Sequence, residues 1–342
     1  MYKLLIKTIC VLTIFISLPV TAQDNKHALP LRGINLVGAG FASSALPGRE
    51  NFDYIFPSAS DIKIYADFGM EVIRLSFLWE RLQPELDKPL NAQYLNGIES
   101  VVREANNHGL FVILDVHNYG AYQSKLIGSD EVTQDSFNNL WFRLATHFKD
   151  DKNVMFGIMN EPNRHSAAEW FSISQGALLA IRGAGATQKI LVPSTFWSSA
   201  YRFFKKDGTY SNAELLGTIK DPENNFIFEV HIYFDSDSSG THDTCPDGED
   251  IGVERIKDIT QWLKTNKFQA ILGEFGASQN STCLKNLDKT LAYMDANNDA
   301  WYGWAYWAAG PWLGDYMFSV YPPDTNKYPQ AKILKKYIDK TQ

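Results

Sequence analysis

The sequence predicts a closed (β/α)8 barrel, and three features predict it. Eight short apolar, β-rich runs occur at 31–37, 71–77, 111–117, 154–160, 189–194, 226–234, 270–275 and 302–308, starting about 40 residues apart. Helix-compatible stretches fill most of the intervals, and polar residues end many of the runs. Repeated strand-then-helix units imply parallel strands joined by crossovers, and eight such units close naturally on themselves. An open, doubly wound sheet is the alternative; the count of eight and the polar strand ends favour closure.

In chain order, the clearest helices are 92–108, stopped by Gly109, then 136–148, 167–182, 252–266 and 284–297. Segments 43–49, 201–212 and 235–250 read as longer loops, of which only the last carries a cysteine, Cys245. No Pro/Ser/Thr-rich linker divides the chain. One domain over 23–342 is therefore expected, with no second domain appended.

Residues 1–22 read as a secretory leader, with Lys3 and Lys7, a twelve-residue apolar run at 9–20 and the small-x-small triplet Val20-Thr21-Ala22. Twelve apolar residues are too few to span a bilayer. Cleavage near Ala22 would deliver a secreted or periplasmic protein. It would remove Cys10 and leave Cys245 and Cys283, an even count in an exported chain, for which a disulfide is the default.

Hydrophobic residues make up 45% and charged residues 21% of the chain, which excludes wholesale disorder. The formal charge of −7, taken to −9 by loss of the two leader lysines, argues against nucleic acid or an anionic membrane surface as partner. Aromatics at 13%, with nine Trp, exceed what a core needs and suggest flat platforms for a neutral ligand.

In such a barrel the site lies at the C-terminal ends of the strands. Arg74 lies on the second run, His117-Asn118 end the third and Asn160-Glu161-Pro162 the fourth. His231 and Tyr233 lie on the sixth run, Glu274 on the seventh and Trp307 on the eighth. Alternation puts Gly303, Ala305 and Trp307 on one face, and Ala270, Leu272 and Glu274 on another, each set aiming its last member into the barrel top. Asp115 and Glu229 also point inward, and Arg32, Arg74 or a histidine is expected to partner them, because an unpaired charge there is costly. Singly, Glu161 and Glu274 would pass as surface residues. Together, each after an apolar strand, they match glycosidic cleavage, which needs one protonated carboxyl and one carboxylate. A basic neighbour such as Arg74 could hold one as carboxylate, whose charge then raises the pKa of the other.

These residues resemble glycoside hydrolase family 5, the cellulase family of retaining (β/α)8 enzymes. The resemblance rests on Asn160-Glu161-Pro162, on Ile271-Leu272-Gly273-Glu274-Phe275-Gly276, and on Arg74 in VIRLSF. His117-Asn118 in DVHNYG, His231-Ile232-Tyr233 and Trp307 add to it in the expected order, over roughly 31–323. Phe275 is a departure from some relatives. The tail WAAGPWLGDYMFSVYPP and the two cysteines look most like the endo-1,4-β-glucanase subfamily.

The resemblance implies Glu161 as acid/base and Glu274 as nucleophile, about 5–5.5 Å apart. Asn160 would bond the sugar 2-hydroxyl, and Arg74 and Tyr233 would steady Glu274, which Arg74 should keep ionised, leaving Glu161 with the raised pKa. His117, Asn118 and His231 would bind sugar or orient the carboxylates. Trp307 would floor the cleavage point, and Trp197, Trp312, Tyr119 and Trp79 would be further platforms, while Trp301 and Trp304 pack. The implied protein is a monomer that needs no cofactor and no metal and cleaves a β-glucan polysaccharide within the chain. Mannan, xyloglucan and mixed-linkage glucan remain alternative substrates, and a non-catalytic glycan-binding protein is the alternative from another class.

Gly38-Ala39-Gly40 lacks the last glycine of a dinucleotide loop, where Ser43 stands. Asp235–Gly240 opens like a calcium loop but has Pro246 in place of the terminal glutamate. Asn280-Ser281-Thr282 fits a glycosylation acceptor.

Overall fold

Eight parallel strands close into a barrel in the computed structural model, which describes residues 31–248 and 250–339. Around the ring the order is β1 (Leu31–Leu36), β10 (Trp301–Ala309), β9 (Ala270–Glu274), β8 (Phe226–His231), β7 (Ile190–Pro193), β6 (Val154–Gly157), β3 (Phe111–Val116) and β2 (Val72–Phe77). The two remaining strands, β4 (Ala121–Tyr122) and β5 (Lys125–Leu126), form a small antiparallel hairpin after β3. The leader expected at 1–22 lies outside the described residues.

The helices are α1 (Ala59–Phe68), α2 (Trp79–Leu82), α3 (Ala92–Asn107), α4 (Gln134–Phe148), α5 (Ala167–Gly183), α6 (Asn212–Leu216), α7 (Ile251–Asn266), α8 (Ser281–Ala296) and α9 (Pro329–Ile338). Local chemistry starts and stops them. Ser58 with Asp61, Ser166 with Glu169 and Ser211 with Glu214 form reciprocal capping boxes, each satisfying two orphan N–H groups. Gly69 ends α1 at φ 98°, a left-handed conformation that favours glycine. All five helices expected from periodicity are present within a few residues of their predicted ends.

The core has two parts. Leu31, Val72, Ile113, Met155, Leu191, Ile227 and Ile271, one from each of seven strands, form an apolar ring inside the barrel, against which Tyr302 of β10 packs. A larger cluster lies between strands and helices and holds Trp301, Trp304 and Trp170. Trp301 donates to Thr260 of α7 through Nε1 (3.1 Å), in keeping with a packing role. The inner ring closes the lower barrel, so a polar layer can sit only above it, at the strands' C-terminal ends.

Cys245 and Cys283 form a disulfide that ties the 235–250 loop to the start of α8, with Cα atoms 5.4 Å apart. By chain entropy, closing a loop of that length stabilises by about 4 kcal/mol. No helix among the described residues is long and apolar enough to cross a membrane.

Candidate active site

Two positions beyond Val72, Ile113, Ile227 and Ile271 of the apolar ring, alternation turns Arg74, Asp115, Glu229 and Gly273 inward. Arg74 is the hub. Its Nη2 lies 3.0 Å from Asp115 Oδ1, its Nε 2.8 Å from Glu229 Oε1 and its Nη1 2.8 Å from Glu274 Oε1. It also donates to Oδ1 of Asn35 (3.0 Å) and of Asn160 (2.9 Å). Burial opposes the guanidinium charge, but the three carboxylates outweigh it and raise the Arg74 pKa. Glu229 is likewise held below the ordinary carboxylate range: burial pushes up, and Arg74 and His231 pull down harder. Arg74 and the two histidines thus partner the inward acids, whereas Arg32 reaches Glu71 and the Tyr337 carbonyl. Gly273 is obligatory here, since a Cβ would fall 2.3 Å from Glu229 Oε1.

Glu274 reaches the mouth by a different route from the one alternation predicts. Ile271, not Leu272, faces the barrel interior, and Ala270 and Leu272 pack outward against the helices. Continued alternation would turn Glu274 outward too. Instead the β8–β9 register slips, with Val230 opposite Leu272 but His231 opposite Glu274. This bulge at Gly273 re-aims the carboxylate into the site. On β10 the expected face is correct, because Trp304 and Tyr306 pack outward and leave Gly303, Ala305 and Trp307 inward.

Both Glu274 oxygens accept hydrogen bonds, Oε1 from Arg74 Nη1 (2.8 Å) and Oε2 from Tyr233 Oη (3.0 Å). Burial, with the nearby Glu274 and Glu161 charges, raises the Tyr233 pKa well above its ordinary value, so its hydroxyl remains a donor. Burial also raises Glu274, opposed by His231 and Arg74. The expectation drawn from Arg74 alone left out this desolvation. His231 Nδ1 lies 2.8 Å from Glu161 Oε1 and 3.8 Å from Glu274 Oε2, and its Nε2 is 3.4 Å from Glu229 Oε1. Burial disfavours its charge, but these carboxylates prevail and raise it to about 10.

Folding therefore strengthens proton binding at His231. Its stabilising contribution is complete below its ordinary pKa of about 6.5 and is lost as pH rises through about 10. Melting curves at pH 6, 8 and 10 should show the parent protein losing more of its thermal midpoint than His231→Gln does. Parallel losses would mean that the ring is neutral in the fold.

Glu161 follows β6. The ladder continues past the strand through Ile158 N to Leu191 O (3.2 Å) and Asn160 N to Val116 O (2.8 Å), and Glu161 then takes φ 46°. A left-handed glutamate is strained, and here the strain turns the side chain over the mouth. A carboxylate oxygen of Glu161, one of Glu274 and a ring nitrogen of His231 lie within 4.8 Å of one another. A protonated His231 supplies the positive charge among these groups and does so as a hydrogen-bond donor, so they read as a proton-linked cluster. Asp235, Asp237 and His242 form a second such grouping. The Asp235 carboxylate accepts from Ser239 Oγ, Gly240 N and Thr241 N, which is loop-building rather than ligation.

His117 Nδ1 lies 2.7 Å from Asp115 Oδ2, and its Nε2 is 3.3 Å from Asn160 Nδ2. With the Asn160 oxygen on Arg74, this fixes which way the Asn160 amide faces. His117 stands parallel to Trp307 (centroids 5.6 Å apart, 12° between planes), and Trp307 Nε1 donates to Tyr316 Oη (3.1 Å). Tyr119 and Trp197 are exposed and line a cavity of about 430 Å³ that also holds Glu161, His231 and Tyr233. Tyr119 further borders a cavity of about 530 Å³ beside His117 and Glu80.

Three expectations change. Asn118, expected at the sugar, has its Oδ1 accepting from Trp79 N (2.8 Å) and its Nδ2 donating to Glu80 (2.6 Å), so it braces α2. Trp79 is fully buried and packs on Tyr122 and Phe137, not on a ligand. Trp312 is exposed in the loop after β10 but does not line the cavity beside Glu161. One residue was missed. Asn35 donates to the Gly273 carbonyl (2.9 Å) and the Ala305 carbonyl (3.0 Å) and accepts from Arg74. The inward series Leu31, Gly33, Asn35 could have found it.

A family model described as Cellulase (glycosyl hydrolase family 5) matches residues 34–310. Endo-beta-1,4-glucanase B of Aspergillus niger is 38% identical over 308 residues, covering 90% of this chain and 89% of that protein. The structure of XacCel5A in complex with cellopentaose is 44% identical, covers 91% of this chain and 100% of its own, and superposes with a TM-score of 0.88. Pseudomonas stutzeri endoglucanase Cel5A in complex with cellobiose is 34% identical, with coverages of 90% and 92% and a TM-score of 0.82. Matched in sequence, barrel and extent alike, the chain belongs to glycosyl hydrolase family 5, the cellulase family.

Proposed function

We propose that the protein is an endo-β-1,4-glucanase that hydrolyses internal bonds of soluble or amorphous β-1,4-glucan with retention of anomeric configuration. The observation that carries this reading is the approach of Glu161 and Glu274 oxygens to within 4.8 Å. A retaining enzyme needs its carboxyl groups about 5–5.5 Å apart, whereas an inverting one leaves room for water between them. The relatives named endoglucanases, one of them solved with cellobiose, and the similar XacCel5A, solved with cellopentaose, support the choice of polymer.

Glu274 is the nucleophile. Its oxygen forms a bond to the anomeric carbon as the bond to the glycosidic oxygen breaks, and Glu161 transfers its proton to that oxygen. In the second half Glu161 takes a proton from water, the water oxygen bonds to the anomeric carbon, and the Glu274 ester bond breaks. Arg74 and Tyr233 keep Glu274 aligned, and Asn160, its oxygen held by Arg74, offers Nδ2 to the sugar 2-hydroxyl. Trp307 stacks under the sugar at the cleavage point, Trp197 and Tyr119 line its flanks, and His117 and His231 orient Asn160 and Glu161. Stacking works because the CH-rich face of a pyranose is apolar while its hydroxyl rim seeks polar partners. Trp312 would serve only more distant sugars.

The same reading has the protein exported, with 1–22 removed near Ala22 and 23–342 forming the catalytic domain. The Cys245–Cys283 disulfide supports an oxidising destination.

Incubating residues 23–342 with carboxymethylcellulose, mixed-linkage glucan, xyloglucan, mannan and xylan tests this. Carboxymethylcellulose should lose viscosity quickly, and NMR of cello-oligosaccharide digests should show the β-anomer first. The α-anomer first would overturn retention, greater release from mannan would overturn the glucanase reading, and inertness on every polymer would favour a binding protein.

A further inference from the structure

Glu161 would deliver its proton to the leaving oxygen, so the cavity that opens beside it, whose walls include neither Glu274 nor Trp307, receives the departing sugars. Trp197 and Tyr201 line that cavity together with Asp237, Ser239 and Thr241. Tyr201 is 39% exposed, yet it is fastened on several sides. Its hydroxyl donates to the Asp237 carbonyl (3.3 Å) and accepts from Arg202 Nε (3.1 Å). The Arg202 and Arg255 guanidinium carbons lie 5.4 and 5.7 Å from its ring centre. Arg255 is buried and also donates to the Asp235 carbonyl (2.7 Å), joining the ring to the segment that follows β8.

The backbone beneath is fixed as well. Phe196, Trp197 and Ser198 take φ of 58°, 59° and 52°, three consecutive left-handed residues without a glycine. They lead into a bridge between Ser199 and His231, secured by His231 N donating to Ser198 O (2.8 Å), and then into the 3-10 turn Ala200–Arg202. Strain of this kind persists only where the surrounding structure over-determines it, and it clusters at ligand-holding sites. An aromatic ring that is both pinned and open to solvent loses little entropy when a ligand covers it.

We propose that Tyr201 is a second sugar-stacking platform on the leaving-group side, beyond Trp197, and that it sets a preference for longer glucan chains. The proposal rests on the glucanase reading. Binding there draws on sugar units remote from the broken bond, so it strengthens kcat/KM only for substrates long enough to reach the ring.

The test compares cellopentaose with 4-nitrophenyl β-cellobioside, whose leaving group ends at the first position past Glu161. In Tyr201→Ala the ratio of kcat/KM, pentaose over aryl cellobioside, should fall about tenfold. Tyr201→Phe keeps the ring without its hydroxyl and should recover most of that ratio. An unchanged ratio in Tyr201→Ala, whether both substrates fall together or neither falls, would overturn the proposal and leave Tyr201 a loop anchor. Inactivity of the unmodified enzyme on both substrates would overturn the glucanase reading, and this one with it.

Discussion

Glu274→Gln should lower turnover on carboxymethylcellulose by at least about 10⁴-fold while leaving the protein folded. Glutamine keeps the shape: its oxygen can still accept from Arg74, while its NH2 donates to the Tyr233 hydroxyl oxygen. It cannot form the ester that divides the displacement into two steps. The loss should therefore fall on kcat far more than on KM, because Trp307 and the cavity walls are untouched. A small external nucleophile separates the two glutamates. With azide and an activated aryl cellobioside, Glu274→Ala should regain activity and yield the α-glycosyl azide, the azide attacking from the vacated side. Glu161→Ala should still form the ester with an aryl leaving group that needs no proton, and should yield the β-glycosyl azide. Near-parental turnover by Glu274→Gln, or the same azide anomer from both variants, would remove Glu274 from the nucleophile's place.

What the sequence disclosed follows from which interactions are local. Strand and helix periods and the inward acids at Asp115 and Glu229 all depend on near neighbours in the chain, and each was legible. Glu274 was assigned to the right place for a wrong reason. Strict alternation was assumed, whereas a bulge opposite His231 brings the carboxylate in, and a register slip is a property of two strands rather than one. Asn118 shows the converse limit. Its position beside His117 is readable, but its amide is taken by Trp79 N and Glu80, which only the folded α2 presents.

The β4–β5 hairpin escaped notice for a chemical reason. Its two turn residues, Gln123 and Ser124, take φ of 45° and 67°, where glycine or asparagine is the usual signal. The turn is held from outside by Glu80, which accepts from Gln123 N (2.6 Å). Long-range support of this kind leaves no mark in the turn sequence itself.

Arg74→Met should affect stability and chemistry together. Removing the guanidinium leaves Asp115, Glu229 and Glu274 without the cation that lies within 3.0 Å of each. Breaking a buried ion pair from one side destabilises by about 3–5 kcal/mol, because the remaining charge has lost its compensation. The direction with pH follows from Glu229. A carboxyl held below its ordinary value contributes stability above the unfolded pKa, and that contribution fades as pH falls through the folded one. The variant lacks most of it, so its deficit should be largest at pH 7 and should shrink as the medium is acidified toward pH 4. Urea unfolding at both pH values measures this, and if the variant does not fold at pH 7 its folding near pH 4 becomes the telling result. Arg74→Lys should regain part of the stability, since one ammonium restores a charge. It should not regain kcat, because a point charge cannot hold Glu274, Asn160 and Asn35 at three separate angles. Equal stability of Arg74→Met and the parent protein at pH 7 would mean that these acids carry protons in the fold. Glu274 would then hold no negative charge with which to attack.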